Sequence, residues 1–255
     1  QIQEHKHFVN ILFDRPEKRN ALNNVMIEEI HYALNLYENN TYIKAILLSS
    51  TSNVFCSGAD LKYLEKIKNF SEEENIKDSE NLKNLFEKIL LYPKLIISKV
   101  NGAAIAGGCG IMTASDVIFA TKESKFGYPE VKIGFIPALV SVFLVQKIHE
   151  THARELILTG RIIDSKEARE IGLINHVCES DEIDMHVDNF IQNIISKTSS
   201  NSIKEIKKML FSWLNFKEKL NKAVIYNAKN RKSEDFKKGI SGFLNKQKIN
   251  WANNQ

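Results

Sequence analysis

Apolar residues follow strand-like patterns at two places in the first quarter of the chain and a helical repeat between them. Apolar and polar residues alternate over 8–13, which predicts a half-buried strand, and the apolar run at 44–49 predicts a buried strand. Between them, Asn23 is a favoured type of helix cap, and a helical repeat of apolar residues follows it. The apolar positions of this predicted helix are Val25, Met26, Ile30, Ala33, Leu34 and Tyr37. The order of strand, helix and strand predicts an α/β core.

The pattern is weaker between the second strand and the middle of the chain. The segment 51–60 is rich in turn-forming residues and predicts an irregular connection. The segment 61–81 is rich in Lys, Glu and Asn and only weakly periodic, so it predicts a solvated helix or a mobile flap. Helical spacing resumes over 82–91, just before Pro93.

Helical patterns dominate the second half of the chain. The predicted elements are, in order, helices over 138–148 and 152–158, a capping box of Asp164 and Glu167 on a short helix, and an extended segment over 172–177. We therefore divide the chain into an α/β core, residues 1–180, and a helical C-terminal region, residues 181–255.

The segment 94–137 concentrates the features with chemical meaning. Apolar runs at 95–100 and 116–120 predict strands, and a glycine-rich turn with a short helix lies between them. The glycines of this turn are Gly107, Gly108 and Gly110. Glycine lets a ligand approach the backbone, and the first N–H groups of a helix are free to donate to it. The segment therefore predicts a site for an oxygen that carries negative charge.

Composition narrows the class of protein. The 255 residues are 43% hydrophobic and 26% charged, which is ordinary for a globular protein with a sizeable core. The net charge of +4 is too diffuse to indicate nucleic acid and is compatible with an anionic small molecule. Three separated cysteines and the lack of an apolar signal segment or membrane-length run predict a cytoplasmic location.

Two turns follow predicted strands, and each places small residues before a helix. We call residues 57–60 (Ser-Gly-Ala-Asp) the first turn and residues 106–108 (Ala-Gly-Gly) the second turn. If the strands are neighbours, the N–H groups of Ala59 and Gly107 converge on one oxygen, and each donor contributes on the order of 3 kcal/mol to an enolate-like transition state. The alternative is that the glycines only form tight turns, and spacing alone favours that alternative.

One carboxylate, Glu130, lies in apolar surroundings. Its neighbours in the sequence are Tyr128, Val131 and Ile133. Such surroundings raise the pKa of a carboxyl group and suit it to proton transfer. The alternative is an exposed surface residue, the usual location of glutamate. The basic residues Lys18, Arg19 and Lys246 are candidates for phosphate binding, but lysine is common throughout this chain.

Several segments together resemble one known family. They are RPEKRNALN at 15–23, FCSGADL at 55–61, VNGAAIAGGCGIMTASDVIFAT at 100–121, FGYPEVKIGFIPA at 126–138, LTGRIIDSKEAREIGLINHV at 158–177 and GISGFLNKQKINW at 239–251. In this order and spacing they resemble the enoyl-CoA hydratase/isomerase superfamily, the crotonase fold. Six segments in order are specific where each alone is weak.

The resemblance implies a fold, a substrate class and an assembly. The fold would be an α/β crotonase-like spiral of ββα repeats with a helical C-terminal trimerisation region. The substrate would be an acyl-CoA thioester, and the assembly a homotrimer or a dimer of trimers. No metal or other cofactor, no nucleic acid and no membrane partner are implied.

The resemblance also implies roles for individual residues. The thioester oxygen would lie between the N–H groups of Ala59 and Gly107, with Glu130 as the acid and base. Substrate and CoA contacts would come from Arg19, Ala21, Leu22, Ser57, Gly58, Asp60, Leu61, Lys62, Gly108, Tyr128, Pro129, Pro137, Phe243 and Lys246.

Gly110 departs from the family pattern and also belongs among the catalytic positions. Family hydratases with two glutamates carry one of them there, and here it is glycine, whereas the second is present as Glu130. Glu130 alone would then move a proton between carbons, as in single-glutamate Δ3-Δ2-enoyl-CoA isomerases. Alternatively, Glu130 activates water with help from another residue.

A second departure favours the hydratase. The segment IPALVSVF at 136–143 replaces a glycine-rich stretch and resembles the bacterial methylglutaconyl-CoA hydratase branch, which acts on branched acyl-CoAs in leucine breakdown. We therefore predict a hydro-lyase that adds water reversibly to a short or branched 2-enoyl-CoA. The alternatives are the isomerase and a non-catalytic acyl-CoA-binding subunit that lost its chemistry with Gly110.

Overall fold

Two β-sheets and a set of helices make up the fold in a computed structural model that describes residues 1–253. The strands are, in chain order, β1 (Ile2–Glu4), β2 (Phe8–Phe13), β3 (Ala45–Ser50), β4 (Val54–Cys56), β5 (Leu95–Val100), β6 (Ala103–Ile105), β7 (Val117–Thr121), β8 (Lys125–Gly127), β9 (Ile162–Asp164) and β10 (His176–Cys178). Their distribution over two sheets explains how the chain builds both a core and a site.

The larger sheet has the order β1-β2-β3-β5-β7-β10. β1 is antiparallel to β2, and the other neighbours are parallel. The prediction of a half-buried strand over 8–13 is wrong, because β2 is buried along nearly its whole length. Its polar residue Asn10 is buried as well, and it accepts a hydrogen bond from Ser49 Oγ at 2.7 Å on the neighbouring strand.

The smaller sheet has the order β4-β6-β8-β9. β4, β6 and β8 run parallel, and β9 is antiparallel to β8. The turn-rich connection predicted over 51–60 holds for the residues on either side of β4, but the strand β4 itself was not predicted. Each of these strands has three residues, too few to show the two-residue period from which strands are predicted.

The helices cover both sheets. They are α1 (Asn24–Glu38), α2 (Leu61–Ile67), α3 (Glu72–Leu91), α4 (Gly107–Ala114), α5 (Ala138–Lys147), α6 (Glu150–Thr159), α7 (Ser165–Glu170), α8 (Ile183–Lys197), α9 (Ser200–Trp213), α10 (Phe216–Asn230) and α11 (Glu234–Leu244). Short 3-10 helices occupy Pro16–Lys18, Pro129–Ile133 and Trp251–Asn253. In the part of the chain described, no helix is both long enough and apolar enough to cross a membrane.

Helix α1 begins as predicted. The Asn23 side chain accepts a hydrogen bond from Met26 N at 2.9 Å and so caps the helix. Met26 and Ile30 face the core, but Val25 is 60% exposed and its assignment to the apolar face is wrong. Val25 lies at the N-terminal edge of the buried stripe, where the helix turns it toward solvent.

The segment 61–81 is mostly helical, as the first of its two predicted alternatives stated, but it is not solvated along its whole length. Ser71 and Glu74 form a capping box that begins α3, ten residues before the predicted start of the helix at 82. Asn75 and Ser79, two polar residues of α3, are buried. Their polarity hides the buried face of this helix from a hydropathy pattern.

After β10 every element of the described chain is helical. The capping box predicted at Asp164 is half formed: Asp164 Oδ1 accepts from Glu167 N at 2.9 Å, whereas the Glu167 carboxylate pairs with Arg161. Helix α10 packs on α3 and α5, and α11 packs on α2 and on the 3-10 helix at 129–133. These contacts bring the C-terminal helices over the ends of the smaller sheet.

Helix α11 meets the 3-10 helix at 129–133 and the residue after it by backbone contact. A Cβ built on Gly239 of α11 would lie 2.0 Å from Ile133 O, and one on Gly134 would lie 2.2 Å from Asp235 O. Only glycine permits such an approach at both positions, so the two segments are in direct contact.

Candidate active site

The candidate site lies at the carboxyl ends of β4, β6 and β8. In the smaller sheet Cys56 pairs with Ala104, and Ala104 pairs with Phe126, so the three strands end side by side. The first turn follows β4, the second turn follows β6, and Glu130 lies three residues beyond β8. The strands before the two turns, β4 and β6, are therefore neighbours, as convergence of the two N–H groups requires.

Gly58 brings the two turns into contact. Its φ is +91°, and a Cβ built on it would lie 3.0 Å from Ala106 Cβ and 3.2 Å from Ile105 O. Leu22 N donates to Gly58 O at 2.7 Å, and Asp60 N donates to Leu22 O at 2.8 Å. These bonds hold the residues on either side of Ala59, whose own N–H has no acceptor within residues 1–253.

The second turn is held in a strained conformation. Ala106 has φ 51° and ψ −122°, a region that non-glycine residues rarely adopt. Its N–H donates to Gly127 O at 2.9 Å, and its carbonyl accepts from Gly110 N at 2.9 Å. Gly107 is therefore the first residue of α4, and its N–H finds no acceptor in the described chain.

Glu130 is a buried carboxyl group. It is 6% exposed, and its Oε2 has no hydrogen-bond partner in the described structure. Burial raises the pKa of Glu130 to about 7. Its backbone carbonyl accepts from Phe135 N at 3.0 Å, which fixes the turn that carries it. The alternative of an exposed surface glutamate is therefore wrong.

A cavity of about 630 Å³ joins the two turns and Glu130. The predicted site residues that line it are Leu22, Ser57, Ala59, Gly107, Pro129, Glu130, Pro137 and Phe243. The predicted site residues outside its lining are Arg19, Ala21, Gly58, Asp60, Leu61, Lys62, Gly108, Gly110, Tyr128 and Lys246. Five of these ten residues are chain neighbours of the predicted residues in the lining, namely Ala21, Gly58, Asp60, Gly108 and Tyr128.

Some of the residues outside the lining pack the site together. A Cβ built on Gly108 would lie 2.4 Å from Cys56 O, so α4 rests directly on β4. The Tyr128 hydroxyl is fully buried at 2.7 Å from Thr113 Oγ1 and faces α4. Burial raises the pKa of Tyr128 well above its usual value. Neither residue presents a polar atom to the cavity.

The surroundings of Gly110 are already filled. A Cβ built on Gly110 would lie 2.8 Å from Phe86 Cζ and 2.8 Å from Val140 Cγ2. Val140 lines the cavity, so an apolar side chain stands where a second carboxylate would enter. A carboxylate at position 110 would require Phe86 and Val140 to move.

Arg15 organises the first turn and was missed by the sequence analysis. Its Nη1 donates to Ala21 O at 2.6 Å, and its Nη2 pairs with Asp60 Oδ2 at 3.1 Å. Asp60 also caps α2 by accepting from Lys62 N at 2.9 Å. The sequence pointed to the neighbouring Lys18 and Arg19 as basic candidates, although Arg15 makes the contacts that hold the first turn.

A second charged group on the cavity wall was also missed. We call Tyr63, Asp78, Asn227 and Arg231 the Arg231 cluster. Arg231 Nη1 pairs with Asp78 Oδ2 at 2.5 Å, with side-chain exposures of 5% and 8%. The Tyr63 hydroxyl also bonds Asp78. Arg231 and Asp78 lie 153 residues apart in the chain, so no local motif connects them.

The described residues offer no set of side chains that could bind a metal ion. Residues 1–253 hold no group of three His, Cys, Asp or Glu side chains arranged to bind a metal ion. Cys56 and Cys109, which flank the two turns, are buried, and burial raises the pKa of each thiol to about 12.

Known proteins resemble this chain over nearly its whole length. The family model described as enoyl-CoA hydratase/isomerase matches residues 3–254. A Thermus thermophilus protein, provisionally named as an enoyl-CoA hydratase, is 34% identical over 249 residues, covering 96% of this chain and 98% of its own. The mitochondrial enoyl-CoA hydratase of Pongo abelii is 30% identical over 249 residues, covering 94% of this chain and 82% of its own.

Solved structures show the same fold. An enoyl-CoA hydratase from Bacillus halodurans superposes with a TM-score of 0.87 at 26% identity, covering 95% of this chain and 98% of that one. A methylmalonyl-CoA decarboxylase in complex with 2-nitronate-propionyl-CoA superposes with a TM-score of 0.87 at 26% identity, covering 98% and 97%. The fold is thus the crotonase fold, and the chain belongs to the enoyl-CoA hydratase/isomerase family.

Proposed function

We propose that this protein is an acyl-CoA hydro-lyase that adds water reversibly to a short or branched 2-enoyl-CoA. The observation that carries the proposal is the buried carboxyl of Glu130, whose Oε2 has no hydrogen-bond partner among the described residues, in the same cavity as the free N–H groups of Ala59 and Gly107. A proton-transfer group and an oxyanion site therefore share one enclosed space.

The proposed reaction uses these groups in two steps. Glu130 takes a proton from water, and the water oxygen adds to C3 while the C2–C3 electron pair moves toward the thioester oxygen. Ala59 N–H and Gly107 N–H donate to that oxygen and stabilise the enolate. Protonated Glu130 then returns its proton to C2, which completes the addition of one water. With its pKa raised to about 7, both forms of Glu130 are populated near neutral pH.

The substrate class rests on the relatives and on the shape of the cavity. Relatives carry hydratase names, and one solved neighbour holds an acyl-CoA analogue. Leu139 and Val140, from the segment that resembles the methylglutaconyl-CoA branch, line the cavity. Leu22, Ser57 and Phe243 line it as well and are proposed to contact CoA, as is Lys246, three residues after Phe243 in the chain.

The test is a turnover screen that follows loss of absorbance of the conjugated thioester. Crotonyl-CoA, 3-methylcrotonyl-CoA and 3-methylglutaconyl-CoA are compared with wild-type protein and with Glu130→Gln. The variant is expected to lower kcat by about a hundredfold or more. Glu29→Gln, which removes an exposed carboxylate from α1, is the control and should leave kcat unchanged. Normal turnover by Glu130→Gln would remove Glu130 from the mechanism.

A Δ3-Δ2-enoyl-CoA isomerase is the second candidate, and the surroundings of Gly110 favour it. Phe86 and Val140 fill the space of a second carboxylate, which leaves Glu130 to act alone. Glu130 would then remove a proton from C2 and deliver one to C4. A 3-enoyl-CoA incubated in ¹⁸O-water decides between them: an isomerase yields 2-enoyl-CoA without added oxygen, whereas a hydratase leaves the 3-enoyl-CoA unchanged and incorporates labelled oxygen only when 2-enoyl-CoA is supplied. Tight binding without any turnover would instead support a non-catalytic acyl-CoA-binding subunit.

We also propose a homotrimer, or a dimer of trimers, assembled through the helical region 181–255. Helix α9 carries large apolar side chains that are exposed in the single chain, namely Ile206, Met209, Leu210 and Trp213. Exposed apolar patches of this kind mark association surfaces. Sedimentation velocity of wild-type protein and of Trp213→Glu tests this, and a wild-type monomer would exclude it. The cytoplasmic location remains a proposal, to be tested by fractionation.

A further inference from the structure

We infer that the Arg231 cluster binds an oxygen atom on the acyl group, so that the preferred substrate ends in a hydroxyl, carbonyl or carboxylate rather than in a plain hydrocarbon. This inference rests on the proposed acyl-CoA function and deepens it. It concerns Tyr63, Asp78, Asn227 and Arg231, which line the same cavity as Glu130.

The cluster offers hydrogen-bond donors that no protein group uses. The Arg231 side chain is 5% exposed, and its Nε is buried without a partner in the described structure. Asn227 is 4% exposed, and its Oδ1 accepts from Ser79 Oγ at 3.1 Å. No acceptor in residues 1–253 takes a hydrogen bond from Asn227 Nδ2. Arg231 N donates to Asn227 O at 3.2 Å, so both residues share one face at the end of α10.

The acceptors of the cluster are already engaged. The Asp78 carboxylate pairs with Arg231 and also bonds the Tyr63 hydroxyl. The charge of Arg231 is therefore balanced by Asp78, and the remaining need is for an acceptor. A buried donor without an acceptor is costly, so a ligand oxygen that reaches these donors is stabilised.

The cluster is tied to the carboxylate that performs the proposed chemistry. The Arg231 guanidinium lies 5.7 Å from the centroid of the Phe135 ring, and Phe135 N donates to Glu130 O. Ile136 N donates to Asn230 Oδ1 at 3.2 Å, one residue before Arg231. The segment 130–136 thus fixes the cluster relative to Glu130, and both line the cavity in which the substrate is proposed to bind.

Another buried acceptor that lacks a donor in the described residues, on Asn75, does not pair with Arg231 or Asn227. Asn75 Oδ1 on α3 is also buried without a donor, but Asn75 does not line the cavity. Its amide donates to Phe70 O and Ser71 O at 3.2 and 3.0 Å, which fixes it at the start of α3. Arg231 and Asn227 line the cavity and Asn75 does not, so of these three only Arg231 and Asn227 adjoin a ligand bound there.

The inference is tested with three 2-enoyl-CoA substrates of equal chain length whose acyl groups end in methyl, hydroxyl or carboxylate. A site built to hydrogen-bond an oxygen rejects the analogue that lacks it. We expect kcat/KM for at least one oxygenated substrate to exceed that for the methyl-ended one by about tenfold or more. The two oxygenated substrates show whether the preferred group is charged. Equal or higher kcat/KM for the methyl-ended substrate overturns the inference.

Two variants assign the preference to the cluster. Asn227→Leu removes one donor, and the double variant Asp78→Asn/Arg231→Gln removes both charges together so that neither is left buried alone. Each is expected to lower the ratio of oxygenated to methyl-ended kcat/KM by about tenfold, whereas Arg154→Gln, an exposed arginine on α6, leaves the ratio unchanged. If the double variant fails to fold, the kcat/KM ratios of Asn227→Leu and of wild-type protein test the inference instead.

Other outcomes separate this inference from the proposed function. An equal fall in kcat/KM for all three substrates would place the donors on the CoA portion and overturn the inference. If wild-type protein turns over none of them, the proposed function fails, and calorimetric binding of the matching saturated acyl-CoA esters still measures the preference. Equal affinity for the three esters would then overturn the inference on its own.

Discussion

Two buried carboxyl groups line the same cavity, and their surroundings differ in one respect. Glu130 has an oxygen without a partner, whereas Asp78 pairs with Arg231 and bonds Tyr63. Burial without a counter-ion raises the pKa of Glu130 to about 7. Glu130 can therefore exchange a proton near neutral pH, while Asp78 is held by its cation as part of the wall. One cavity thus contains a carboxyl placed for proton transfer and a carboxyl placed for support.

The comparison predicts that removing the charge of Arg231 lowers the free energy of unfolding, whereas removing the charge of Glu130 raises it at high pH. The largest is expected for Arg231→Met, which leaves Asp78 buried without its cation and should lower the free energy of unfolding by about 3–5 kcal/mol. Urea denaturation of wild-type and variant protein measures this. Adding Asp78→Asn should recover most of the loss, and failure to recover it would show that packing rather than charge dominates the cluster.

Removing the charge of Glu130 should stabilise the protein at high pH. The folded-state pKa of about 7 lies above the ordinary value of 4.5, so wild-type stability falls as pH rises from 4.5 and the loss is complete above about 7. Glu130→Gln lacks this loss, and its stability relative to wild type should rise by about 3 kcal/mol between pH 4 and pH 9. Urea midpoints across this range check it. A constant difference would mean that Glu130 is solvated.

Gly58→Ala is expected to disturb the positions of the two turns more than the packing of the core. Strain at positive φ should cost about 1–3 kcal/mol of stability, and contact of the new Cβ with Ala106 should separate the two turns and lower kcat. Gly172→Ala is the matched control, because Gly172 has φ +79° with nothing within 4 Å of a built Cβ. If both variants lose kcat equally, the contact with Ala106 does not position the turns.

The smallest effect is expected at an exposed ion pair. Lys222 and Glu218 lie 2.6 Å apart on α10 with exposures of 69% and 56%, where solvent screens their attraction. Lys222→Ala should leave the urea midpoint unchanged within error. A shift as large as that of Arg231→Met would contradict the view that burial makes the Arg231 pair important.

Most strands of the larger sheet could be predicted from sequence, and those of the smaller sheet could not. β3, β5 and β7 are apolar runs of five or six residues, long enough to stand out. β4, β6, β8 and β9 have three residues each, and they form strands because the larger sheet and α4 hold them in place. Tertiary packing, rather than local pattern, creates the sheet that carries the site.

The candidate site likewise has a part that could be predicted from sequence and a part that could not. The two turns and Glu130 are marked locally by glycines and by apolar neighbours, and the resemblance to a family supplied their roles. The contact between Arg231 and Asp78 joins α10 to α3 across 153 residues, and no single segment contains its signal. The environment of Gly110 likewise depends on Phe86 and Val140, which come from two different helices.

The glycine contact between α11 and the turn of Glu130 bears on how a substrate enters. At Gly134 and Gly239 backbone meets backbone without an intervening side chain, so the last helix and that turn form one rigid roof over the cavity. Helix α2 meets α11 through side chains, with Leu64 and Ile67 against Phe236 and Ile240. Side chains can change rotamer while backbones in contact must part, so we expect the cavity to open for a bulky thioester between α2 and α11 rather than at the glycine contact.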